Sequence, residues 1–308
     1  MSFANAASEL LIESPATSRR NRSDFSERRR RALKRVDREL LRRNYGTALS
    51  VVKQLQAKQL QKQSLLRGFG TAKQVPMESS AIDGLQFEGL ERSSVEALVD
   101  SVLDAMHDPA QLKLIQEVEA RGPRSCEDVH LLCLQHEAGH FLVGYLIGVL
   151  PQNYQVPSVE DLSQDEVLVK SKIEFPGFGF LTGVGPEILR RNLPIAKRKG
   201  TAAAMVNRRV SSKTLNAFSC VMLGGLVAEY LAFGYSQGHL TDLQKLHNTI
   251  KWLEMEESKA EFQIKWAALN TIFLLHSHQQ ARERLVEAMA DGQSVGVCID
   301  AIESTLPH

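Results

Sequence analysis

Residues 136 to 140 read His-Glu-Ala-Gly-His. The string asks for a helix, because side chains four apart then share one face, a turn apart, with two imidazoles and a carboxylate side by side. Both rings can reach one metal ion at roughly 2.0–2.1 Å, with Glu137 next to the position left for a water. A water on such a zinc ion ionises near neutral pH and Glu137 can take its proton, so the expected chemistry is hydrolysis of an amide. With 9 His and 24 Glu in 308 residues, His-Glu-x-x-His arises by chance about 0.02 times per chain. The competing reading is a pair of packed core histidines, which would leave two imidazoles and a carboxylate on an apolar face in need of burial partners.

The flanks agree with a helix. Ser125-Cys126-Glu127-Asp128 offers a capping serine with an acid three residues on, and Leu132, Cys133, His136, His140 and Val143 recur at helical spacing until Pro151. The spacing predicts a helix over about 127 to 149. Gly139 inside it costs propensity and points to another backbone or a substrate passing close by.

Catalytic zinc sites take three protein ligands and leave one position open, so a third donor is needed downstream. Glu229, His239, Asp242 and His247 are the candidates. They lie in or beside Gly224-Gly225-Leu-Val-Ala-Glu229, Phe233-Gly234 and Gly238-His-Leu-Thr-Asp242-Leu.

Taken in order with His-Glu-Ala-Gly-His, these elements resemble the peptidase domain of FtsH-type zinc metallopeptidases, over roughly residues 125 to 280. The resemblance implies Zn2+ as cofactor, His136, His140 and Asp242 as its ligands, Glu137 as the catalytic base, and Glu229 near the site. Direct ligation by His239, His247 or Glu229 stays open as an alternative. The stretch from about 151 to 210 departs from the family pattern, and the gap from His140 to Asp242 is longer than its norm. The family's ATPase module carries a Gly-x-x-x-x-Gly-Lys-Ser/Thr loop, and no such string occurs in this sequence. Gly68-Phe-Gly70-Thr-Ala-Lys73 lacks the spacing to cradle phosphates. As a whole the chain resembles plant and algal FtsH-like proteins that keep the peptidase domain without the ATPase. That implies a chloroplast location, with a cytoplasmic one as the alternative, and a separate ATPase or FtsH-like partner.

Composition is consistent with a helical protein. The chain is 43% hydrophobic and 6% aromatic, enough for a sizeable core. Cys126, Cys133, Cys220 and Cys298 have neither close pairing nor zinc-ribbon spacing and read as reduced thiols. Residues 1 to 75 hold 17 Lys and Arg against 6 Asp and Glu, while the remainder holds 20 against 30. The near-neutral total thus conceals a basic arm and an acidic body.

In that arm Arg28 to Arg31, Lys34, Arg35, Arg38, Arg42 and Arg43 form a dense cationic stripe. Peripheral contact with an anionic membrane is the partner it suggests, nucleic acid being less expected, and a solvated helix face is the bland alternative. Leu33, Val36, Leu40 and Leu41 supply an apolar face. Gly46 is expected to turn the chain into a second helix bearing Leu49, Val52, Leu55 and Leu60, a hairpin that docks on the body or on a partner. Residues 1 to 23 are expected to be disordered, and Glu9 and Glu13 make them a weak targeting signal.

No stretch convincingly spans a membrane; Ala217 to Tyr235 is long enough but carries Glu229 and the glycine pair, and reads as a buried helix from a Ser211-Ser212 cap to Gly234. Alternation over 166 to 174 suggests a β-hairpin or edge strand near the cleft, or an ordinary surface loop. Leu243, Leu246, Ile250 and Leu253 mark a helix with Thr241 as cap, and 262 to 288 a long one ending at Asp291-Gly292. His276 and His278 read as exposed. The expected fold is mainly α: a disordered segment over 1 to 23, a basic helical hairpin over 24 to 75, a linker and helix over 76 to 124, and an FtsH-like peptidase domain over 125 to 308. The expected function is zinc-dependent endopeptidase action on unfolded or flexible protein, the alternative being a weakly active or inactive peptidase-like scaffold.

Overall fold

In the computed structural model, residues 15–57, 64–77, 89–107, 125–163, 171–184, 210–236 and 240–306 are described. The elements run α1 (Pro15–Leu41), α2 (Tyr45–Gln56), α3 (Arg92–His107), α4 (Cys126–Ile147), β1 (Asn153–Gln155), α5 (Val159–Ser163), β2 (Lys172–Glu174), α6 (Ser212–Phe233), α7 (Leu240–Trp252), α8 (Glu257–Ser277), α9 (Gln279–Ala290) and α10 (Val295–Thr305). The fold is mainly α, as the sequence suggests. β1 and β2 form a two-stranded antiparallel ribbon that pairs Tyr154 with Ile173. The alternating stretch thus contributes a strand at Lys172–Glu174, while 164 to 170 lies outside the described residues.

Helix α4 begins where the Ser125 side chain accepts the Asp128 N–H, with Glu127 and Asp128 in the first turn facing the positive end of the helix dipole. It ends at Gly148, whose left-handed backbone (φ 88°) returns N–H bonds to Gly144 and Tyr145. From Leu132 to Leu146 almost every side chain is buried, so this is a central helix covered on all sides. Its closest neighbour is α6, capped by Ser211 and closed at Gly234. A Cβ on Gly139 would stand 2.2 Å from the Gly224 carbonyl oxygen. The backbone anticipated at Gly139 is therefore that of α6, and the two helices cross with no side chain between them. Among the described residues α6 is the one helix long and apolar enough to cross a membrane, and most of it is buried inside the fold. Gln263 on α8 donates to Asn216 and Ser219, and Thr271 donates to the Cys220 carbonyl, which pins α8 across α6.

The basic hairpin lies against this body. Leu33, Val36 and Leu40 of α1 are buried with Ala48, Val51 and Val52 of α2. Asp37 accepts from Gly296 N–H and from the Ser294 hydroxyl, and Arg29 pairs with Asp300, so α1 is tied to α10. Two expectations need correction. Helix α1 continues back to Pro15, so the stretch from 15 to 23 is helical where disorder was anticipated. The turn is made at Arg43, which adopts φ 60°, with Gly46 already in the first turn of α2.

Residues 64 to 77 form a strap over three helices. Its Arg67 and Gly68 N–H groups donate to the buried Glu303 carboxylate of α10, which also accepts the Tyr145 hydroxyl of α4. Gly70 and Ala72 N–H groups then satisfy the Tyr145 and Leu146 carbonyls at the end of α4. Farther on, the Val75 carbonyl accepts the Trp266 indole N–H, and Val75 N–H donates to Asn270. Gly68 and Gly70 therefore serve packing: a Cβ on Gly68 would meet Leu306 at 2.6 Å.

The long helix anticipated over 262 to 288 is two helices, broken at His278 (φ −119°, ψ 34°). His278 and His276 are half-buried, and His278 Nδ1 bonds the Leu274 carbonyl, which corrects their reading as exposed groups. All four cysteines are free thiols, three of them buried.

Candidate metal centre

The site is assembled where α4, α6 and the first turn of α7 meet. His136 Nε2 and His140 Nε2 stand 2.9 Å apart, and each lies 3.2 Å from Oδ2 of Asp242. Donors held at about 2.0–2.1 Å by one tetrahedral ion stand roughly 3.3 Å from one another, so the three atoms have the spacing such an ion requires. This cluster can hold a metal ion.

The far side of each ring settles its tautomer. His136 Nδ1 lies 2.6 Å from Oε1 of Glu229, and His140 Nδ1 lies 2.5 Å from the Val221 carbonyl oxygen. Carboxylate and carbonyl oxygens accept, so each ring donates from Nδ1 and, when neutral, turns the Nε2 lone pair inward. Two lone pairs and a carboxylate oxygen then face one another with nothing to share but a cation. A proton can serve that purpose. Burial pushes the His136 imidazole down, but Asp242, Glu229 and Glu137 outweigh it and raise it to about 10. A metal ion would displace that proton.

Glu229 is fully buried on α6 and is fixed at its second oxygen by the Ser236 hydroxyl. It bonds the outer nitrogen of His136, so it orients the ring and cannot ligate the same ion. That geometry decides between Glu229 and Asp242. Replacement of Glu229 by glutamine should weaken metal binding about 10–100-fold with the fold retained, as measured by competition with a chromophoric chelator. Unchanged affinity would remove Glu229 from the site. Room for the His136 ring comes from Gly225, where a Cβ would sit 2.3 Å from the imidazole. The glycine pair thus has two separate duties: Gly224 admits the α4 backbone and Gly225 the ring.

Asp242 sits in the first turn of α7, where the helix dipole favours a carboxylate. Its Oδ1 accepts from Lys245 Nζ at 2.7 Å, which leaves Oδ2 for the imidazoles. Burial opposes its ionisation, yet His140, His136 and Lys245 hold its carboxyl well below the usual range. Lys245 was not anticipated, although a base three residues after an acid on a helix is a recognisable spacing. His247 points away and bonds the Met106 carbonyl; His239 lies outside the described residues.

Glu137 is buried, and its Oε2 has no hydrogen-bond partner. Burial raises its carboxyl above the ordinary value, His136 and His140 pull it back, and Asp242 pushes it further up. It lines a cavity of about 450 Å³ together with His140, Asp242, Lys245 and the strand residues Ser171 to Phe175. A buried carboxyl with an unused oxygen, on a residue that lines a cavity beside three converging donors, is placed to exchange a proton there. A larger groove, about 950 Å³, lies between the end of α1, β1 and the α9–α10 turn and includes none of the three donors nor Glu137.

Compared as a whole, the chain matches no family model, no curated protein and no solved structure.

Proposed function

We propose that this protein is a zinc-dependent endopeptidase that cleaves unfolded or flexible protein segments. The observation that carries the reading is the convergence of His136, His140 and Asp242 on one point, with Glu137, one of whose carboxyl oxygens has no partner, among the residues that line the adjoining cavity. Two imidazoles and one carboxylate form a donor set suited to zinc, and three protein donors leave a position for chemistry. Zinc, when bound there, would supply a positive charge that polarises an amide carbonyl and lowers the pKa of water to near 7.

The remaining steps belong to the chain. The Glu137 carboxylate takes a proton from the attacking water and returns it to the leaving amine nitrogen. Glu229 and the Val221 carbonyl hold the imidazoles in the ligating tautomer. Strand β2 has one edge on β1, and no other strand pairs with it among the described residues. Since Ser171 to Phe175 line the cavity, an extended peptide can add to this edge by backbone hydrogen bonds, which align the scissile amide with little regard for its side chains. Such a site takes segments that can become extended, hence the expectation of unfolded substrates. Delivery by a separate ATPase or FtsH-like partner and a chloroplast location follow from the family resemblance alone.

Metal analysis of the purified full chain together with turnover of an unfolded substrate such as casein tests the reading. One equivalent of zinc and chelator-sensitive cleavage are expected. One equivalent of zinc with no cleavage of any unfolded substrate would instead leave a peptidase-like scaffold that keeps zinc for stability.

A further inference from the structure

We infer that the outer face of helix α1 is a docking surface for an anionic lipid bilayer. The buried residues of α1, Arg29, Leu33, Val36 and Leu40, form one stripe. At 3.6 residues per turn the direction opposite that stripe is occupied by Arg31, Arg35, Arg38 and Arg42, flanked by Arg28 and Lys34, all exposed. Among the described side chains, Arg31 of this line pairs with Glu27 and Arg42 with Glu39. Lys34, Arg35, Arg38 and Arg43 make no ion pair among the described residues. The cationic line from Arg28 to Arg42 is roughly 21 Å long, it points directly away from the body, and a flat anionic surface would meet its whole length at once.

Charge complementarity names an anionic partner, and Leu41 selects the bilayer. Its side chain, on the flank of the cationic line beyond Lys34, is 85% exposed at the rim of the groove that it and Arg43 help to line. An apolar group at that position gains by entering the boundary between headgroups and acyl chains, whereas a phosphate backbone offers it nothing. Among the described residues the face has no exposed aromatic on which unpaired bases could stack. Orientation follows from the charge distribution: residues 76 to 308 carry 20 Lys and Arg against 30 Asp and Glu, so an anionic surface attracts the arm and repels the rest. The inference is independent of the metal centre.

Co-sedimentation of the full chain with vesicles tests it, using phosphatidylcholine alone and phosphatidylcholine with roughly one third phosphatidylglycerol. Binding to the anionic vesicles alone is expected, with its loss at high salt. The combined variant Lys34→Gln, Arg35→Gln, Arg38→Gln and Arg43→Gln breaks no ion pair, and its partition constant should fall about 10²–10³-fold at an unchanged melting temperature. Leu41→Ser should lower partitioning of either form by a further, salt-independent factor. No sedimentation with anionic vesicles at low salt, equal binding to neutral ones, or full binding by the four-residue variant would overturn the inference. So would retention of single-stranded RNA by a protein that ignores both kinds of vesicle. The salt comparison uses the unaltered chain and needs no variant to fold.

Discussion

Glu137→Gln is expected to lower turnover about 10²–10⁴-fold while the protein still takes up one equivalent of zinc. A thousandfold loss corresponds to about 4 kcal/mol of transition-state stabilisation. Metal uptake should survive because the converging donors are His136, His140 and Asp242, and Glu137 is none of them. Stability should hold or rise, since glutamine is neutral in a place where burial already disfavours the charged carboxyl and where Oε2 has no partner. Single-turnover cleavage, metal analysis and thermal melting on one preparation separate these effects. Undiminished cleavage by zinc-loaded Glu137→Gln would end the assignment of the base, and a loss of zinc in that variant would mean Glu137 is itself a ligand.

Glu303→Ala is expected to cost about 3–5 kcal/mol of folding stability, an unusually large effect for a residue far from any proposed chemistry. The carboxylate is fully buried and accepts from Arg67 N–H, Gly68 N–H and the Tyr145 hydroxyl. Alanine leaves those donors without an acceptor and opens a cavity. For a chain of this size the melting temperature should fall by roughly 5–8 °C. Glu303→Gln, which keeps one acceptor oxygen, should lose clearly less. A decrease under about 1 kcal/mol for the alanine variant, read from urea unfolding, would show that the clamp contributes little.

The candidate metal site was legible to the extent that it rests on helical spacing. His136, Glu137 and His140 are fixed relative to one another by a single turn, and Gly139 announced the crossing with α6 because a glycine inside a helix needs a reason. Asp242 and Glu229 were two of four candidate third donors that only resemblance ranked, and the structure separates them by placing Glu229 on the outer nitrogen of His136. The Val221 carbonyl under His140 could not have been read, because a backbone acceptor leaves no mark on residue identity. Glu303 was equally silent: an acid near the end of a helix ordinarily faces water, and its burial depends on strap residues more than 230 positions away. The break at His278 has no glycine or proline to signal it, and the turn at Arg43 places a left-handed backbone on a residue that rarely adopts one.

The clasp between α1 and α10 constrains the order of events during synthesis. Arg29 and Asp300 are 271 residues apart, and Asp37 and Gly296 are 259 apart. A nascent chain leaves the ribosome with α1 and α2 long before α10 exists, so the part of α1 that α10 covers, with Arg29 and Asp37, must wait for its partner. Pairings that remote make folding slow and leave an aggregation-prone intermediate exposed meanwhile. Early binding of α1 by a holdase chaperone would protect the polypeptide until translation is nearly finished.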